Sequence, residues 1–166
     1  MRTAPHDLVV DHGGDGFTVT GAAPRLSWKD PEHRDIRFAY VVEAVIDADD
    51  PVATETAGRR LVAWPFAELR SGQRVRWRVR AAAPGAEWSS WADFEAGLFD
   101  ADWTAAWISP AEAAVGSDAD PGYGRRGAHL LTGGFTLTAE AVSARLYSTA
   151  LGVYTATVNG ERVGMI

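Results

Sequence analysis

Arg74-Val75-Arg76-Trp77-Arg78-Val79-Arg80-Ala81-Ala82-Ala83 decides how this chain folds. Successive side chains of a strand point to opposite faces, so Val75, Trp77, Val79 and Ala81 share one face and Arg74, Arg76, Arg78 and Arg80 share the other. One face belongs in a core and the other in water. The same alternation extends outward in both directions. Leu26 and Trp28 alternate in one short run, Tyr40, Val42, Ala44 and Ile46 in the run 38–46, and Ala92, Phe94, Ala96 and Leu98 in the run 92–98. Asp30-Pro31 and Asp50-Pro51 supply turn chemistry between the earlier runs. Helical periodicity is nearly absent from Phe17 to Leu98. Short alternating runs with a turn every ~8–12 residues predict an all-β sandwich with seven strands in this span.

Beyond Leu98 the pattern lapses. A connector over 99–108 carries Trp103 and Trp107, and the stretch Ser109 to Gly127 is rich in Gly, Ala, Asp and Pro. The latter reads as a mobile surface loop, because little in it repays the entropy lost on ordering. A domain boundary near Trp103 divides the chain into 1–102 and 103–166. Strand signals resume at His129, with strands expected over Phe135–Thr138, Ala141–Thr149 and Gly152–Val158. Val158-Asn159-Gly160-Glu161 marks a two-residue hairpin, since Asn-Gly accepts positive φ at both turn positions. Three or four strands cannot easily close a core. The second domain therefore reads as a β-sandwich cut short, and its unpaired strand edges predict a homo-oligomer.

The 166 residues include 46% hydrophobic and 23% charged side chains with seven Trp, enough to fold around a core and unlike a disordered segment. Against 22 Asp and Glu stand only 16 Lys and Arg, so at net −6 there is no basic field to hold nucleic acid. No run approaches the ~20 apolar residues that span a bilayer, which argues against a membrane partner. Met1 to Asp11 lacks the apolar centre of a signal peptide, and the chain has no Cys. Together these predict a cytoplasmic location.

Two groups of segments carry a family resemblance. Ala144-Arg145-Leu146-Tyr147-Ser148-Thr149-Ala150-Leu151-Gly152-Val153-Tyr154, continuing to Val158-Asn159-Gly160-Glu161-Arg162-Val163-Gly164, resembles the start of the N-terminal β-domain of bacterial α-L-rhamnosidases, glycoside hydrolase family 78-like enzymes. Upstream, Pro24-Arg25-Leu26-Ser27-Trp28, Trp77-Arg78-Val79-Arg80, and Phe94-Glu95-Ala96-Gly97-Leu98 with Trp103 and Trp107-Ile108 resemble the fibronectin type III-like module that precedes it. The resemblance implies a fibronectin type III/immunoglobulin-like β-sandwich followed by a truncated, jelly-roll-like β-sandwich segment. It further implies a multidomain inverting glycosidase that removes terminal L-rhamnose, with both catalytic carboxylates in a helical barrel far C-terminal to this chain. No catalytic residue transfers to any position here, no cofactor is implied, and the expected partner is the catalytic barrel of the same full-length protein. Ser148 departs from the family's usual apolar residue, and Ser109 to Gly127 is poorly matched.

One candidate site stands apart from that inheritance. Trp88-Ser89-Ser90-Trp91-Ala92 approaches the Trp-Ser-x-Trp-Ser box of cytokine-receptor fibronectin domains, in which Trp rings and Arg guanidinium groups stack alternately. Arg76, Arg78 and Arg80 with Trp88 and Trp91 are thus expected to form a surface ladder. The first reading is structural. The alternative is a carbohydrate- or protein-binding module, since an aromatic face suits the C–H face of a pyranose. Core use is expected for the other rings: Trp28 and Trp77 fall on inward faces, Trp64 precedes Pro65 at an apolar turn, and Trp103 and Trp107 suit a domain junction. Asp47, Asp49 and Asp50, like Asp118 and Asp120, cluster before a Pro and read as solvated loops without EF-hand spacing. His6, His12, His33 and His129 show no metal-ligand spacing. The run from Asp11 to Gly16 reads as a loop between strands. A small complete enzyme is disfavoured, because no nucleophile and base constellation is present.

Overall fold

The computed structural model describes residues 4–13, 17–33, 38–109 and 129–164. It divides into two compact units, Met1–Thr104 and Ala105–Ile166. Among the described residues the first has eight strands: β1 (His6–Val10), β2 (Phe17–Val19), β3 (Arg25–Lys29), β4 (Ala39–Ile46), β5 (Val52–Ala57), β6 (Val62–Ala63), β7 (Arg74–Ala81) and β8 (Ala92–Ala96). β1, β3 and β6 form one sheet in the order β1-β3-β6, and the rest form a second in the order β2-β8-β7-β4-β5. All pairings are antiparallel except β2 with β8, which run parallel with Phe17 opposite Phe94.

The decisive stretch is a central strand. β7 pairs with β4 on one side and β8 on the other, and Val75, Trp77, Val79 and Ala81 are all buried. Tyr40, Val42 and Ala44 of β4 and Ala92, Phe94 and Ala96 of β8 join them, while Leu26 and Trp28 face them from the other sheet. Aromatic edges knit the core. Trp28 meets Tyr40 and Trp77 in T-shaped contacts at 5.1 and 6.3 Å, and Trp64 meets Phe94 at 5.7 Å. Such pairs add roughly 0.5–1.5 kcal/mol beyond their area. Gly97, just after β8, donates its N–H to the Val19 carbonyl at 2.8 Å, an approach so close that a Cβ there would sit 3.0 Å from the same oxygen.

β1 was not among the strands expected from sequence. Its alternation is broken by a register shift between His6 and Val9, with Asp7 at φ 51°, so Val10 reaches the core without a legible pattern before it.

The second unit differs more from expectation. β9 (Ala156–Val158) and β10 (Glu161–Val163) form the expected hairpin, with Val158 opposite Glu161 and φ of 52° at Asn159 and 86° at Gly160. Over 135–155, however, the described backbone makes no strand, which corrects the expectation for Phe135–Thr138, Ala141–Thr149 and the first part of Gly152–Val158. Alternating apolar residues favour a strand only when a neighbour completes the ladder and covers their face. Phe135, Val142, Leu151 and Val153 instead stand exposed. The proposed loop Ser109 to Gly127 lies, after Ser109, outside the described residues.

Candidate functional site

The outer face of β7 carries Arg74, Arg76, Arg78 and Arg80 in a row. Strand geometry places alternate residues about 6.8 Å apart, close to twice the ~3.5 Å contact distance between stacked planar groups. One aromatic ring therefore fits between each pair of guanidinium groups. Trp91 lies 5.3 Å from Arg76 and 4.4 Å from Arg78, and Trp88 lies 4.5 Å from Arg78 and 4.9 Å from Arg80. The order along the face is Arg76, Trp91, Arg78, Trp88, Arg80, so all five residues singled out from sequence are brought together.

Two Trp residues three positions apart would fall on opposite faces of a regular strand. Ser89 resolves this. It is buried, its N–H donates to the Val79 carbonyl at 2.8 Å, and its Oγ accepts from the Val79 N–H at 3.0 Å while donating to the Ser90 carbonyl. A side chain thus takes the place of a backbone carbonyl in the ladder, Ser90 is left exposed, and the alternation shifts so that both rings lie on the outer face. Serine is small enough for this exchange and carries both a donor and an acceptor.

Carboxylates opposite in register complete the face. Glu43 of β4 receives Arg78 through Nη2 at 2.9 and 3.1 Å and Nε at 3.2 Å. Asp93 and Glu95 of β8 face Arg76 and Arg74 at 3.2 and 3.8 Å. Arg78 is the hub: stacked on both sides and held by Glu43, its side chain keeps 27% of its exposure against 59% for Arg76. Opposite Arg80 stands Val41, without a carboxylate.

A second polar centre was missed in the sequence. Asp30, grouped with Pro31 as turn chemistry, is buried. Its Oδ1 accepts from the backbone N–H of Glu32 and His33, and its Oδ2 accepts from the Tyr40 hydroxyl and contacts His33 Nδ1 at 2.8 Å. Arg59 donates to the Asp30 carbonyl oxygen. Burial raises the Asp30 pKa, but the His33 ring, the two N–H groups and Tyr40 together outweigh it and hold the carboxyl below its ordinary value. Burial, reinforced by the Asp30 charge, drives the Tyr40 phenol upward. His33, three residues after Asp30, was the available signal, but the partners Tyr40 and Arg59 come from distant positions.

The remaining candidates divide by burial. Trp28, Trp64 and Trp77 are buried in the core, and the Trp64 Nε1 donates to the Ala67 carbonyl. Trp103 and Trp107 are exposed. Asp47 is no free loop carboxylate, since it accepts from the Arg74 N–H and the Gln73 amide. Asp118 and Asp120 lie outside the described residues, as does the end of the Asp11 to Gly16 loop. Among the described residues no group of three or more His, Cys, Asp or Glu is arranged to hold a metal, and no helix is long and apolar enough to cross a membrane.

Residues 5–100, which contain the whole ladder and the Asp30 centre, match the family model for the Rha78A-like, N-terminal immunoglobulin domain. The chain belongs to this family. Residues 139–165 match the alpha-L-rhamnosidase N-terminal domain, so the resemblance read from residues 144–164 reappears independently. An alpha-L-rhamnosidase of Alteromonas sp. (strain LOR) is 28% identical over 179 residues, an alignment covering 90% of this chain and 18% of that protein. The chain thus spans about a fifth of the length of that relative. The native alpha-L-rhamnosidase of Aspergillus terreus superposes with a TM-score of 0.51 at 25% identity, covering 61% of this chain and 13% of the other. The alpha-L-rhamnosidase of Dictyoglumus thermophilum gives a TM-score of 0.52 at 21% identity, over 67% of this chain and 14% of the other, and speaks for the fold alone. The immunoglobulin-like domain and the rhamnosidase segment are each similar to parts of larger, multidomain enzymes.

Proposed function

We propose that this chain is the non-catalytic N-terminal accessory region of an α-L-rhamnosidase, whose full-length protein removes terminal L-rhamnose from glycosides. The observation that carries the reading is the pair of matches, an immunoglobulin-like domain followed by the opening of a rhamnosidase N-terminal domain, within a span about a fifth of the relative's length. The catalytic barrel is then a partner within the same protein. An inverting glycosidase uses two carboxyl groups roughly 6.5–9.5 Å apart across a cleft. Here Asp30 is committed to a buried turn, and Glu43 and Asp93 to the arginine row.

The ladder supports a scaffold over a sugar platform. Both Trp rings lie between two guanidinium groups, so no open aromatic face is offered to a pyranose. Isothermal titration of the chain with L-rhamnose and simple rhamnosides is expected to give no heat. Millimolar or tighter binding that disappears in Trp88→Ala would replace the scaffold with a binding module. The open edges of the β9–β10 hairpin and the exposed apolar residues beside it also support self-association of the isolated chain. Sedimentation velocity should show dimers or larger species, and a monomer at high concentration would contradict this.

A further inference from the structure

A polar cluster apart from the ladder lies where the chain leaves the immunoglobulin-like domain. After β8, Gly97 donates to the Val19 carbonyl, and Gly72 donates to the carbonyls of Ala96 and Gly97 at 2.8 and 3.4 Å. Phe99 then packs against the core, and Asp100–Asp102 forms a single 3-10 turn closed by the Asp102 N–H on the Phe99 carbonyl. Ser71, in the turn between β6 and β7, bonds both ends of that turn. Its Oγ accepts from the Phe99 N–H at 2.8 Å and donates to the Asp102 carboxylate at 2.5 Å.

This arrangement exceeds what closing a turn requires. The turn that holds Ser71 is itself fixed by the Gln73 N–H on the Arg70 carbonyl and by the Gln73 side-chain oxygen on the Arg70 N–H. Gln73 is also tied to Asp47 of the β4–β5 turn through its amide nitrogen. A chain of bonds therefore runs from the β4–β5 turn through the β6–β7 turn to the departing segment. A hydroxyl can receive the Phe99 N–H and donate to the Asp102 carboxylate from a single atom.

We propose that Ser71 is a latch that sets the path of the chain from Phe99 to Asp102, holding this departing segment against the β6–β7 turn. The proposal is independent of the rhamnosidase reading, since it rests on contacts within the first unit alone.

Amide hydrogen exchange of the 166-residue chain tests it. In Ser71→Ala, peptides spanning 98–104 should exchange roughly fivefold faster, the change expected for losing about one net hydrogen bond, while peptides of β4 and β7 keep their protection. Ser71→Thr, which retains the hydroxyl, should restore the slow exchange, and Asp102→Ala should reproduce part of the loss. Unchanged exchange over 98–104 in Ser71→Ala would overturn the latch. So would a loss spread equally across β4 and β7, because Ser71 would then be a general stabilising residue.

Discussion

Replacing Arg78 by alanine removes the centre of the ladder and leaves its partners in place. Two stacking contacts disappear, with Trp91 at 4.4 Å and Trp88 at 4.5 Å, each worth about 0.5–1 kcal/mol at a site with partial solvent access. Glu43 keeps only 14% of its side-chain exposure and loses all three of its bonds to Arg78. Hydrogen bonds to a charged group contribute about 1.5–3 kcal/mol net, and the low end applies because Arg78 is only partly buried. The sum is about 2.5–3.5 kcal/mol, a large share of the ~5–15 kcal/mol that stabilises a typical domain. Arg76→Ala is the matched control. Arg76 is more exposed, touches one ring at 5.3 Å and faces an exposed Asp93, so its loss should cost about 1 kcal/mol or less. Urea denaturation followed by tryptophan fluorescence measures both. Equal midpoints for the two variants, or a loss under about 0.5 kcal/mol in Arg78→Ala, would refute the assignment of Arg78 as the hub.

Two further outcomes follow from the buried polar groups. Ser89→Ala leaves the Val79 N–H without its acceptor, and should cost about 1–3 kcal/mol in the same assay; Ser89→Thr, which restores the hydroxyl, should recover part of it. For Asp30, the folded carboxyl titrates below the ordinary aspartate value of 3.8, so its charged form contributes stability in full above that value. As pH falls from 3.8 to the lower folded value, the unfolded chain takes up the proton first and the contribution is lost. The stability gap between wild type and Asp30→Asn should therefore shrink across that window in acid-series urea titrations, and parallel curves would contradict the assignment.

Legibility from sequence followed the range of the forces involved. Arg74 to Ala81 was readable because alternate residues differ so sharply that only one pairing of faces is tolerable, and the hairpin at Asn159-Gly160 because its turn demands positive φ. The ladder was readable as a set of residues, but the way Ser89 places Trp88 and Trp91 on one face was not, since that depends on a side chain standing in for backbone in the pairing with Val79. β1 was hidden by its register shift. Asp30 resembles an ordinary turn aspartate until Tyr40, ten residues on, and Arg59, twenty-nine on, close over it. The strands expected between 135 and 155 show the opposite error, where local propensity found no strand to pair with among the described residues.

Separation of this region from catalysis is the central prediction. Hydrolysis of p-nitrophenyl α-L-rhamnopyranoside should be measured side by side for this chain and for the proposed full-length protein. Release of nitrophenol by the longer protein alone is the predicted result. Release by this chain would contradict the account and return its carboxylates to consideration as catalysts, and silence from both proteins would contradict the rhamnosidase assignment itself.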